Sequence, residues 1–399
     1  MHVVIIGSGH AGITAVTTLL QNAEDIEISM ITEDNYPHYP RPSIYKVILG
    51  REPDEILRFP KTWYMRKNIE LILNNKVVGI DGKEKKIITK NDEKLSYDKL
   101  LITTGSKPFI PPIPGISDGP LYCLRTINDA LAIRKRAEEC STSTILGGGL
   151  LSVELAKTLS DIDILPTIID RSPYPLRKQL DEEGGHFLKR QLDKVFNIKF
   201  FFNTECMKIK RENGAVNINI RDTTGFWNHK CDFLLNATGV QNDNTLAKKA
   251  GINIDQYAII VNPFMMTNIK DIYAAGDAVS IELFPRSKFG IIPTAIDQAK
   301  IAAINILGGE VPYTGTLPWT TLKVAGIDLT SIGDIDIDDE VRIEGIIRDY
   351  KEGIYRKLFF KNNQLRGAIL IGTNKYVHKL KTLIIHRASL KEVNEQLQI

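Results

Sequence analysis

Two glycine-rich turns are the segments of this sequence whose residues could bind a phosphate-bearing ligand. The first reads GSGHAG over residues 7–12, and the second reads GGGLLS over residues 147–152. Each turn follows a short apolar run that predicts a buried strand, and each precedes a pattern that predicts a helix. Glycine lets a backbone approach a pyrophosphate closely, and the N-terminus of the next helix supplies N–H donors and a positive dipole end. The chain therefore predicts two sites of the same kind.

An acidic residue follows each turn at the end of the next apolar strand, Glu33 after the first and Asp170 after the second. A carboxylate at that place, about twenty residues after the turn, accepts hydrogen bonds from ribose hydroxyls. The second turn has Ser152 where the pattern requires a third glycine, and a small backbone shift must accommodate its hydroxymethyl group. Two such units predict two dinucleotides, and hydride transfer between them.

The size and composition of the chain limit the classes of protein to which it can belong. With 399 residues it is long enough for two or three domains, and its formal net charge of +3 does not favour nucleic acid or an anionic membrane as a partner. No apolar stretch is long enough to span a bilayer. The first predicted strand begins at Val3, which leaves no room for a cleavable signal peptide, so we expect a cytoplasmic protein.

The cysteines and histidines show no metal-binding pattern. The four cysteines, Cys123, Cys140, Cys206 and Cys231, are scattered and form no CxxC pair, and the seven histidines are dispersed as well. This distribution predicts neither a zinc site nor an iron–sulfur cluster. A disulfide framework is not expected in a reducing compartment.

The order of patterns along the chain predicts an α/β unit, a second such unit and a small α+β tail that begins near Val311. The first unit carries four alternating segments that predict an antiparallel meander, at residues 69–73, 76–80, 86–90 and 94–96. A proline-rich segment over residues 108–115 follows and marks the clearest domain boundary. In the second half, residues 296–307 predict a helix.

A third motif, TNIKDIYAAGD over residues 267–277, ends in Gly276 and Asp277. With the two turns in this order, the sequence resembles the flavoprotein reductases of the pyridine nucleotide-disulfide oxidoreductase superfamily. The resemblance implies FAD at the first turn, NADH at the second, and a FAD domain that is interrupted by the NAD(P)H domain. The implied fold is α/β, with two Rossmann-like domains and a small α+β C-terminal domain. Its implied divisions are 1–109 and 241–312 for the FAD domain, 110–240 for the NAD(P)H domain and 313–399 for the C-terminal domain.

The resemblance also implies which residues bind FAD. Gly7, Gly9 and Gly12 would face its pyrophosphate, Glu33 its adenosine ribose and Asp277 its ribityl hydroxyls. Trp319 would open the segment that runs over the flavin, although a tryptophan packed in a core is an equally good interpretation. The other implied cofactor-binding residues are His10, Ala11, Arg41, Pro42, Thr104, Gly105, Gly239, Gly276, Pro293 and Gln298.

For the nicotinamide cofactor, the resemblance places Gly147 and Gly149 at the pyrophosphate and Asp170 at the ribose. A carboxylate repels a 2′-phosphate, so Asp170 favours NADH. The adjacent Arg171 could accept the phosphate, so NADPH stays open.

Two titratable residues are the implied catalytic groups. Lys46 ends the pattern RPSIYK over residues 41–46, and Glu154 lies in the first turn of the helix after the second glycine motif. By the resemblance, Lys46 is nearest to the flavin N5, where a cation favours the reduced flavin, and Glu154 points into the nicotinamide pocket. We expect the two side chains to lie close together. From the residues alone, Lys46 could equally be a solvated lysine and Glu154 a helix-start carboxylate.

The position of the first cysteine decides the branch of the superfamily. Disulfide reductases and single-cysteine NADH oxidases need a thiol near the first FAD helix, and the first cysteine here is Cys123. Thiol chemistry at the flavin is therefore excluded. The RPxxxK pattern and the tail LKVAGIDL over residues 322–329 resemble the branch that passes electrons singly to rubredoxin or ferredoxin. That branch also includes the flavin module of NAD(P)H nitrite reductases.

This resemblance implies a flavoprotein that takes hydride from NADH and reduces a small acidic electron carrier. The alternatives are a detached flavin subunit of a nitrite reductase system, an NADH oxidase that reduces dioxygen, and a redox-sensing interaction protein. An acidic carrier needs a basic docking surface, and the C-terminal candidates for it are Lys375, His378, Lys379, Lys381 and Arg387. The sequence leaves the oligomeric state, monomer or homodimer, open.

Overall fold

The computed structural model describes residues 1–281, 290–324, 326–335, 341–349 and 351–397, and of residues 195, 324 and 341–346 it describes the backbone alone. Ala325, within the predicted tail motif, lies outside the described residues. No helix in the described ranges is both long and apolar enough to cross a membrane.

The first half of the chain contains two groups of elements. The first group consists of β1 (His2–Ile6), α1 (His10–Asn22), β2 (Glu27–Ile31), α2 (Tyr45–Ile48), α3 (Lys61–Arg66), β3 (Ile69–Ile72), β4 (Val77–Asp81), β5 (Lys86–Thr89), β6 (Lys94–Ser96), β7 (Lys99–Ile102) and β8 (Ser106–Pro108). The second group consists of α4 (Ile127–Ala137), β9 (Thr142–Leu146), α5 (Leu150–Ser160), β10 (Leu165–Ile169), α6 (Glu182–Val195), β11 (Lys199–Phe201), β12 (Glu205–Glu212), β13 (Ala215–Asp222), β14 (Gly225–Cys231) and β15 (Phe233–Asn236).

Two further groups follow in the second half. The third consists of β16 (Val240–Asn242), α7 (Thr245–Lys249), β17 (Ile259–Val261), β18 (Ile272–Ala274), β19 (Val279–Ile281) and α8 (Ile292–Ile306). The fourth consists of β20 (Trp319–Val324), β21 (Ile327–Gly333), β22 (Val341–Asp349), β23 (Ile354–Lys361), β24 (Gln364–Ile371), α9 (Val377–Ile385) and α10 (Leu390–Leu397).

The first sheet shows how two distant stretches of the chain build one site. Its strand order is β18-β7-β1-β2-β3, and the strands are parallel throughout. Strand β18 returns from late in the chain to pair with β7, with Tyr273 opposite Leu101. Val3, Val4 and Ile5 of the central strand β1 are fully buried, as expected for a parallel strand covered on both faces. The carboxyl ends of β1 and β18 therefore lie at the same edge of the sheet.

The predicted four-stranded meander is wrong in its first strand. Residues 69–72 form β3 at the edge of the parallel sheet, where Ile69 pairs with Ile28. The antiparallel sheet consists of β4, β5 and β6. Pairing with β2 satisfies the backbone groups of that strand and buries Ile69. Alternation of apolar and polar residues cannot distinguish between these two partners.

Helix α8 also begins earlier than its apolar pattern predicts. It starts at Ile292 rather than at 296, with Pro293 in its first turn. Proline is favoured there because its missing N–H has no partner within the helix at that position. The carboxyl-terminal end of the helix, Ile306, is close to the predicted 307.

The second parallel sheet, β11-β10-β9-β15, repeats the arrangement around the second glycine turn. The antiparallel sheet β12-β13-β14 packs against it, with Thr144 Oγ1 2.9 Å from His229 Nε2. Arg211 fixes the proline-rich linker to this unit, because its guanidinium donates to the carbonyl oxygens of Gly115 at 2.7 Å and of Ile116 and Pro120 at 3.0 Å. Strands β8 and β16 pair antiparallel where the chain leaves and re-enters the first unit.

The C-terminal sheet, β20-β21-β24-β23-β22, is antiparallel, and its strands β23 and β24 are buried on both faces. One face packs on the second unit in a core that includes Tyr355, Phe359 and Leu155. Helices α9 and α10 cover the other face, where Leu358 and Leu380 are buried. The core between this sheet and the second unit also includes Val47 and Ile48 of α2 and the preceding Ile44, which together we call the α2 segment. The second unit is thus held between the α2 segment and the C-terminal sheet.

Candidate active site

The first glycine turn is shaped by the packing of the chain and leaves space beyond it. Gly7 has φ +107°, and a Cβ there would lie 2.4 Å from the Thr103 carbonyl oxygen. A Cβ at Gly12 would lie 2.0 Å from the Gly7 carbonyl oxygen. A Cβ at Gly9 would meet no protein atom within 4 Å. Gly7 and Gly12 are therefore required by the fold, whereas Gly9 faces open space at the N-terminus of α1.

The second turn repeats this geometry. Gly147 has φ +101°, and a Cβ there would lie 2.6 Å from the Ala237 carbonyl oxygen, whereas a Cβ at Gly149 would meet nothing within 4 Å. Ser152 replaces the third glycine and is completely buried in α5. Its hydroxyl has no hydrogen-bond partner among the described residues. The sequence predicted that the Ser152 side chain must be accommodated at this position, but not that its hydroxyl is unpaired.

We expect Ser152→Ala to stabilise the protein. Removing a buried, unpaired hydroxyl relieves its desolvation cost, and alanine is the best helix former, so the free energy of unfolding should rise by about 1 kcal/mol. Ser152→Gly serves as the control, because glycine costs about 1 kcal/mol of helix propensity relative to alanine. Urea unfolding of the three proteins measures the difference. Destabilisation by Ser152→Ala would show that the hydroxyl has a partner in solution.

The two acids differ in how they are held. Asp170 accepts from the Gly148 N–H and, at 2.5 Å, from the Ser172 N–H, so it is bonded to the glycine turn itself. Glu33 is exposed and pairs with Lys76 at 3.1 Å. Both carboxylates follow the strands that the sequence predicted, β10 and β2. Asp170 is the more rigidly placed of the two.

The returning motif lies directly against the first turn. Gly276 has φ +81°, and a Cβ there would be 3.0 Å from Ala11 Cβ. The buried Gln298 of α8 accepts from the Gly276 N–H at 2.9 Å. Asp277 accepts from Ser106 Oγ at 3.0 Å. The two parts of the discontinuous site are therefore joined, and the Asp277 carboxylate lies at the crossing strand β8.

Arg125 is a site residue that the sequence analysis missed. Its guanidinium donates to Ser106 Oγ at 3.1 Å and lies 3.8 Å from Asp277 Oδ2. A Cβ at Gly105 would lie 3.6 Å from the same guanidinium. Burial and then the neighbouring Arg41 lower the pKa of Arg125. The LRT segment before α4 offers no pattern that identifies it, since its place depends on the packing of the second unit on the first.

Arg41, the first residue of the RPxxxK pattern, contacts Arg125. It donates to the Arg125 carbonyl oxygen at 2.5 Å and to Tyr39 Oη at 2.6 Å. Tyr39 in turn donates to the buried Asp34 at 2.5 Å, and this carboxylate lies 3.5 Å from Arg41. Pro42 is exposed next to it. An acid and a phenol thus hold Arg41 against the backbone of Arg125, whose guanidinium lies beside Asp277.

His10 is the first residue of α1, and its ring is packed against a second histidine. Its ring packs edge-on against His38 at 5.1 Å between ring centroids. Burial, then Arg41 and Arg58, lower the pKa of His10, and burial lowers that of His38 to about 4. Both imidazoles are therefore neutral at pH 7, and the positive charge at this helix N-terminus comes from arginine.

Two Thr-Gly turns, at residues 104–105 after β7 and at residues 238–239 after β15, mark the points where the chain crosses between the units. Gly105 has φ +69°, and Gly239 has φ +132° with no atom within 4 Å of a Cβ there. Thr104 and Gly239 are both exposed. Gly239 therefore faces open space at the crossing between the units.

The structure does not pair Lys46 with Glu154. Their helices, α2 and α5, pack together, but Lys46 extends into solvent and the two charged groups form no ion pair. Glu154 is half-buried, and its carboxylate has no hydrogen-bond partner among the described residues. Burial raises the pKa of Glu154 to about 7. The carboxyl group can therefore hold or release a proton near neutral pH.

Trp319 begins β20 on the side of the sheet that faces α9. It packs on the core beneath that helix, and Lys381 Nζ lies 3.1 Å from the centroid of its ring. Thr316, just before it, donates to Asp297 of α8 at 2.8 Å. Trp319 therefore lies near the junction with α8, but its ring packs within the C-terminal domain.

The residues present fit two dinucleotides. Each turn has one glycine that faces open space at a helix N-terminus, which is where a pyrophosphate binds. Arg41 and Arg125 add positive charge at the first turn, and Asp170 is bonded to the second. The four cysteines are free thiols, and none lies within the first glycine turn or the return motif.

Comparisons with known proteins agree with this geometry. The family described as "Pyridine nucleotide-disulphide oxidoreductase" matches residues 1–299, and "Rubredoxin NAD+ reductase C-terminal domain" matches residues 318–388. The NADH-rubredoxin oxidoreductase of Clostridium acetobutylicum is 31% identical over 399 residues, which cover 98% of this chain and 96% of that protein. A crystal structure of NADH:rubredoxin oxidoreductase from this organism gives a TM-score of 0.79 at 29% identity and covers 99% of both chains.

Other relatives are longer or more distant. The nitrite reductase [NAD(P)H] of Bacillus subtilis (strain 168) is 30% identical over 395 residues, which are 98% of this chain but 48% of that protein. This chain thus spans about half the length of that relative. A ferredoxin reductase from Rhodopseudomonas palustris, with a TM-score of 0.88 at 23% identity, shares the fold. The comparisons confirm the predicted α/β fold, the class of NAD(P)H oxidoreductase and the pair of cofactors, FAD and NAD(P)H.

Proposed function

Because the chain belongs to the pyridine nucleotide-disulphide oxidoreductase family, we propose that it takes hydride from NADH and reduces a small acidic electron carrier of the rubredoxin or ferredoxin type. The observation that carries the proposal is the close packing of Gly276 on Ala11, where an added Cβ would lie 3.0 Å from the Ala11 Cβ; this packing joins the return motif to the first turn. The match of residues 318–388 to a rubredoxin reductase domain supports the class of acceptor. The protein would act in the reducing cytoplasm, as a monomer or homodimer.

In this proposal the first turn, Asp277 and Glu33 bind FAD. Gly9 leaves the space for the pyrophosphate, and the N–H groups at the start of α1 donate to it. Arg41 and Arg125 compensate the charge that gathers near Asp277. Gln298 holds the Gly276 backbone and so fixes the Asp277 carboxylate. Bound FAD supplies the chemistry of accepting a hydride and releasing its two electrons singly.

The second turn would bind NADH rather than NADPH. Asp170, bonded to the Gly148 N–H, places negative charge where a 2′-phosphate would lie. Gly149 leaves space for the pyrophosphate in the same way as Gly9. The nicotinamide end of the cofactor would extend toward Gly239 and Thr104, which are both exposed. Lys46, which is exposed at the end of the RPxxxK pattern, would act at the flavin once its flexible side chain turns inward from solvent.

Glu154 would act on the nicotinamide through its charge. Below pH 7 its buried carboxyl is neutral, and above pH 7 it is ionised, because burial raises its pKa to about 7. Oxidised nicotinamide carries a positive charge that the reduced ring lacks. The ionised carboxylate therefore favours NAD⁺ over NADH at the end of hydride transfer.

We expect this charge to make NAD⁺ binding depend on pH. In the wild-type protein, affinity for NAD⁺ should rise roughly tenfold as pH increases through 7, and in Glu154→Gln it should stay flat. NAD⁺ titrations followed by flavin absorbance, between roughly pH 5.5 and 8.5 and thus about 1.5 units either side of that pKa, measure the effect. Identical pH profiles in the two proteins would remove Glu154 from the nicotinamide site.

Stability should respond to the same group with the opposite trend. A carboxyl group whose pKa is raised in the folded state lowers the free energy of unfolding of the protein as pH rises. Here the loss occurs between the ordinary pKa of 4.5 and the raised value of about 7. Glu154→Gln lacks this loss. The variant should therefore gain stability relative to wild type over that pH range, as thermal unfolding at several pH values would show.

Anaerobic rapid mixing tests the proposed acceptor. The protein is reduced with one equivalent of NADH and mixed with rubredoxin, with a plant-type ferredoxin, or with air-saturated buffer. Reoxidation by a carrier that is at least about tenfold faster than by air supports the proposal, because it shows that the carrier rather than dioxygen is the preferred acceptor. Air that reoxidises the flavin as fast as either carrier would indicate an NADH oxidase instead.

A detached flavin subunit of a nitrite reductase system is the second candidate. It is favoured by the match to one half of the Bacillus subtilis nitrite reductase, over 98% of this chain. In that case the carrier domain would be a separate protein. Rapid reoxidation by a sirohaem nitrite reductase subunit, and slow reoxidation by rubredoxin and ferredoxin, would distinguish this candidate from the first.

A further inference from the structure

A buried cluster of charged groups joins α6 to strand β23 of the C-terminal sheet. Lys357 is 6% exposed and its ammonium donates to Asp181, which is 8% exposed. Tyr355 is fully buried and its hydroxyl lies 3.2 Å from both Asp181 oxygens. Glu183 lies 4.0 Å from Lys357 and accepts from Arg348. Two cations and two anions are thus matched across this interface.

Asp181 lies at the end of the loop that flanks the second glycine turn. This loop runs from Asp170, which accepts from the Gly148 N–H, to Asp181, which caps α6 by accepting from the Gly184 N–H at 3.0 Å. Between them, the Leu176 N–H donates to the Gly148 carbonyl oxygen at 2.9 Å. Both backbone groups of Gly148 are therefore held by residues that flank or belong to the loop.

The first turn of α6 is packed tightly on both sides. A Cβ at Gly184 would lie 3.1 Å from Tyr355 Cε1, and a Cβ at Gly185 would lie 2.3 Å from the Tyr174 ring. Tyr174 belongs to the flanking loop, and Tyr355 to the C-terminal sheet. Any shift of β23 is thus transmitted to α6, and from α6 to the loop beside Gly148.

A buried ion pair is a poor source of stability, because the cost of removing two charges from water offsets their attraction. What it supplies is a unique alignment, since an unpaired charge in that place is costly. Apolar side chains would fill the same core and would allow β23 and α6 to slide. The charges of Asp181 and Lys357 therefore fix the position of the loop relative to the C-terminal sheet.

We propose that Lys357, although distant from the chemistry, is a positioning residue for NADH binding. Through Asp181 it holds the loop of residues 171–180, and through Leu176 that loop holds the second glycine turn. The C-terminal domain then has a role in binding the nicotinamide cofactor, in addition to any role in contacting the carrier. This inference rests on the proposed function, in which the second turn binds NADH.

The test compares Lys357→Met, which removes the charge, with Lys357→Arg, which keeps it. Steady-state reduction of a small uncharged quinone gives KM for NADH and kcat without a carrier. We expect Lys357→Met to raise KM about fivefold with kcat within about twofold of wild type, and Lys357→Arg to restore most of the loss. Lys189→Met is the matched control, because it removes the Lys189–Asp193 pair of the same helix, at 2.7 Å, without touching β23.

Flavin content and thermal unfolding separate positioning from a general loss of structure. A merely structural role would lower both in Lys357→Met and leave KM of the folded fraction unchanged, which would overturn the inference. If Lys357→Met does not fold, Asp181→Asn decides, since asparagine keeps the helix cap but not the charge. A wild-type KM in Asp181→Asn would then overturn it. Wild-type protein that NADH does not reduce would contradict the proposed function, not the positioning role.

Discussion

Gly9→Ala is expected to give folded protein that purifies without flavin, whereas Gly149→Ala is expected to keep its flavin and lose affinity for NADH. A Cβ at either position would meet no protein atom within 4 Å, so neither change should disturb the fold. Each methyl group would instead occupy the space from which a pyrophosphate accepts backbone N–H bonds. The loss of one charge-assisted bond predicts a fall in affinity of at least about tenfold in each case.

Flavin absorbance of the purified variants and KM for NADH measure the two effects. Gly12→Ala is the contrasting variant, because its Cβ would lie 2.0 Å from the Gly7 carbonyl oxygen and should prevent folding. Circular dichroism of Gly9→Ala establishes that the apoprotein is folded. If Gly149→Ala lost flavin, or Gly9→Ala retained it, the assignment of one cofactor to each turn would fail.

A second large effect is expected on the outer face of α9. Exposed residues recur there at helical spacing, and Ile385 among them is 63% exposed. Residues 374–399 contain five Lys and Arg against two Asp and Glu, a net +3, and the other residues carry 46 of each sign. The net positive charge of the chain is therefore equal to that of this C-terminal segment. A docking surface for an acidic carrier needs such a local excess of positive charge.

Reversing two of these charges, Lys375→Glu with Lys379→Glu, should lower kcat/KM for the carrier by about tenfold to a hundredfold at low ionic strength. The dependence on salt should weaken as well, because the attraction that salt screens has been removed. Reduction of an uncharged quinone by NADH should not change. The matched control reverses Lys61 and Arg66 on α3, an exposed helix of the first unit. Equal losses in both double variants would indicate an effect of net charge rather than a docking surface on α9.

The features that the sequence predicted correctly are those encoded locally. Strand, glycine turn and helix follow one another within about 15 residues, and the φ of +107° at Gly7 and of +101° at Gly147 can be read from the glycines themselves. The return motif at Asp277 was predictable because its residues occur in a fixed order. The resemblance implied that this motif returns to the FAD domain, and the structure adds that its strand β18 pairs with β7.

The features that it missed depend on contacts between distant segments. Arg125 becomes a site residue because the second unit brings it to Ser106 and Asp277. Strand β3 leaves the predicted meander because β2 needs a partner. Lys357 and Asp181 are 176 residues apart, and neither lies in a motif. The resemblance led us to expect that Lys46 and Glu154 lie close together. Their helices pack together, but the Lys46 side chain extends into solvent and forms no ion pair with Glu154.

An anaerobic titration with NADH tests the central claim most directly, namely that hydride passes from nicotinamide to a flavin with no thiol beside it. The purified protein should be yellow, and one equivalent of NADH per flavin should bleach its absorbance near 450 nm, roughly the band of oxidised flavins, completely. A redox-active cysteine pair would store two further electrons and require a second equivalent. Colourless protein, or an end point at two equivalents, would contradict the account.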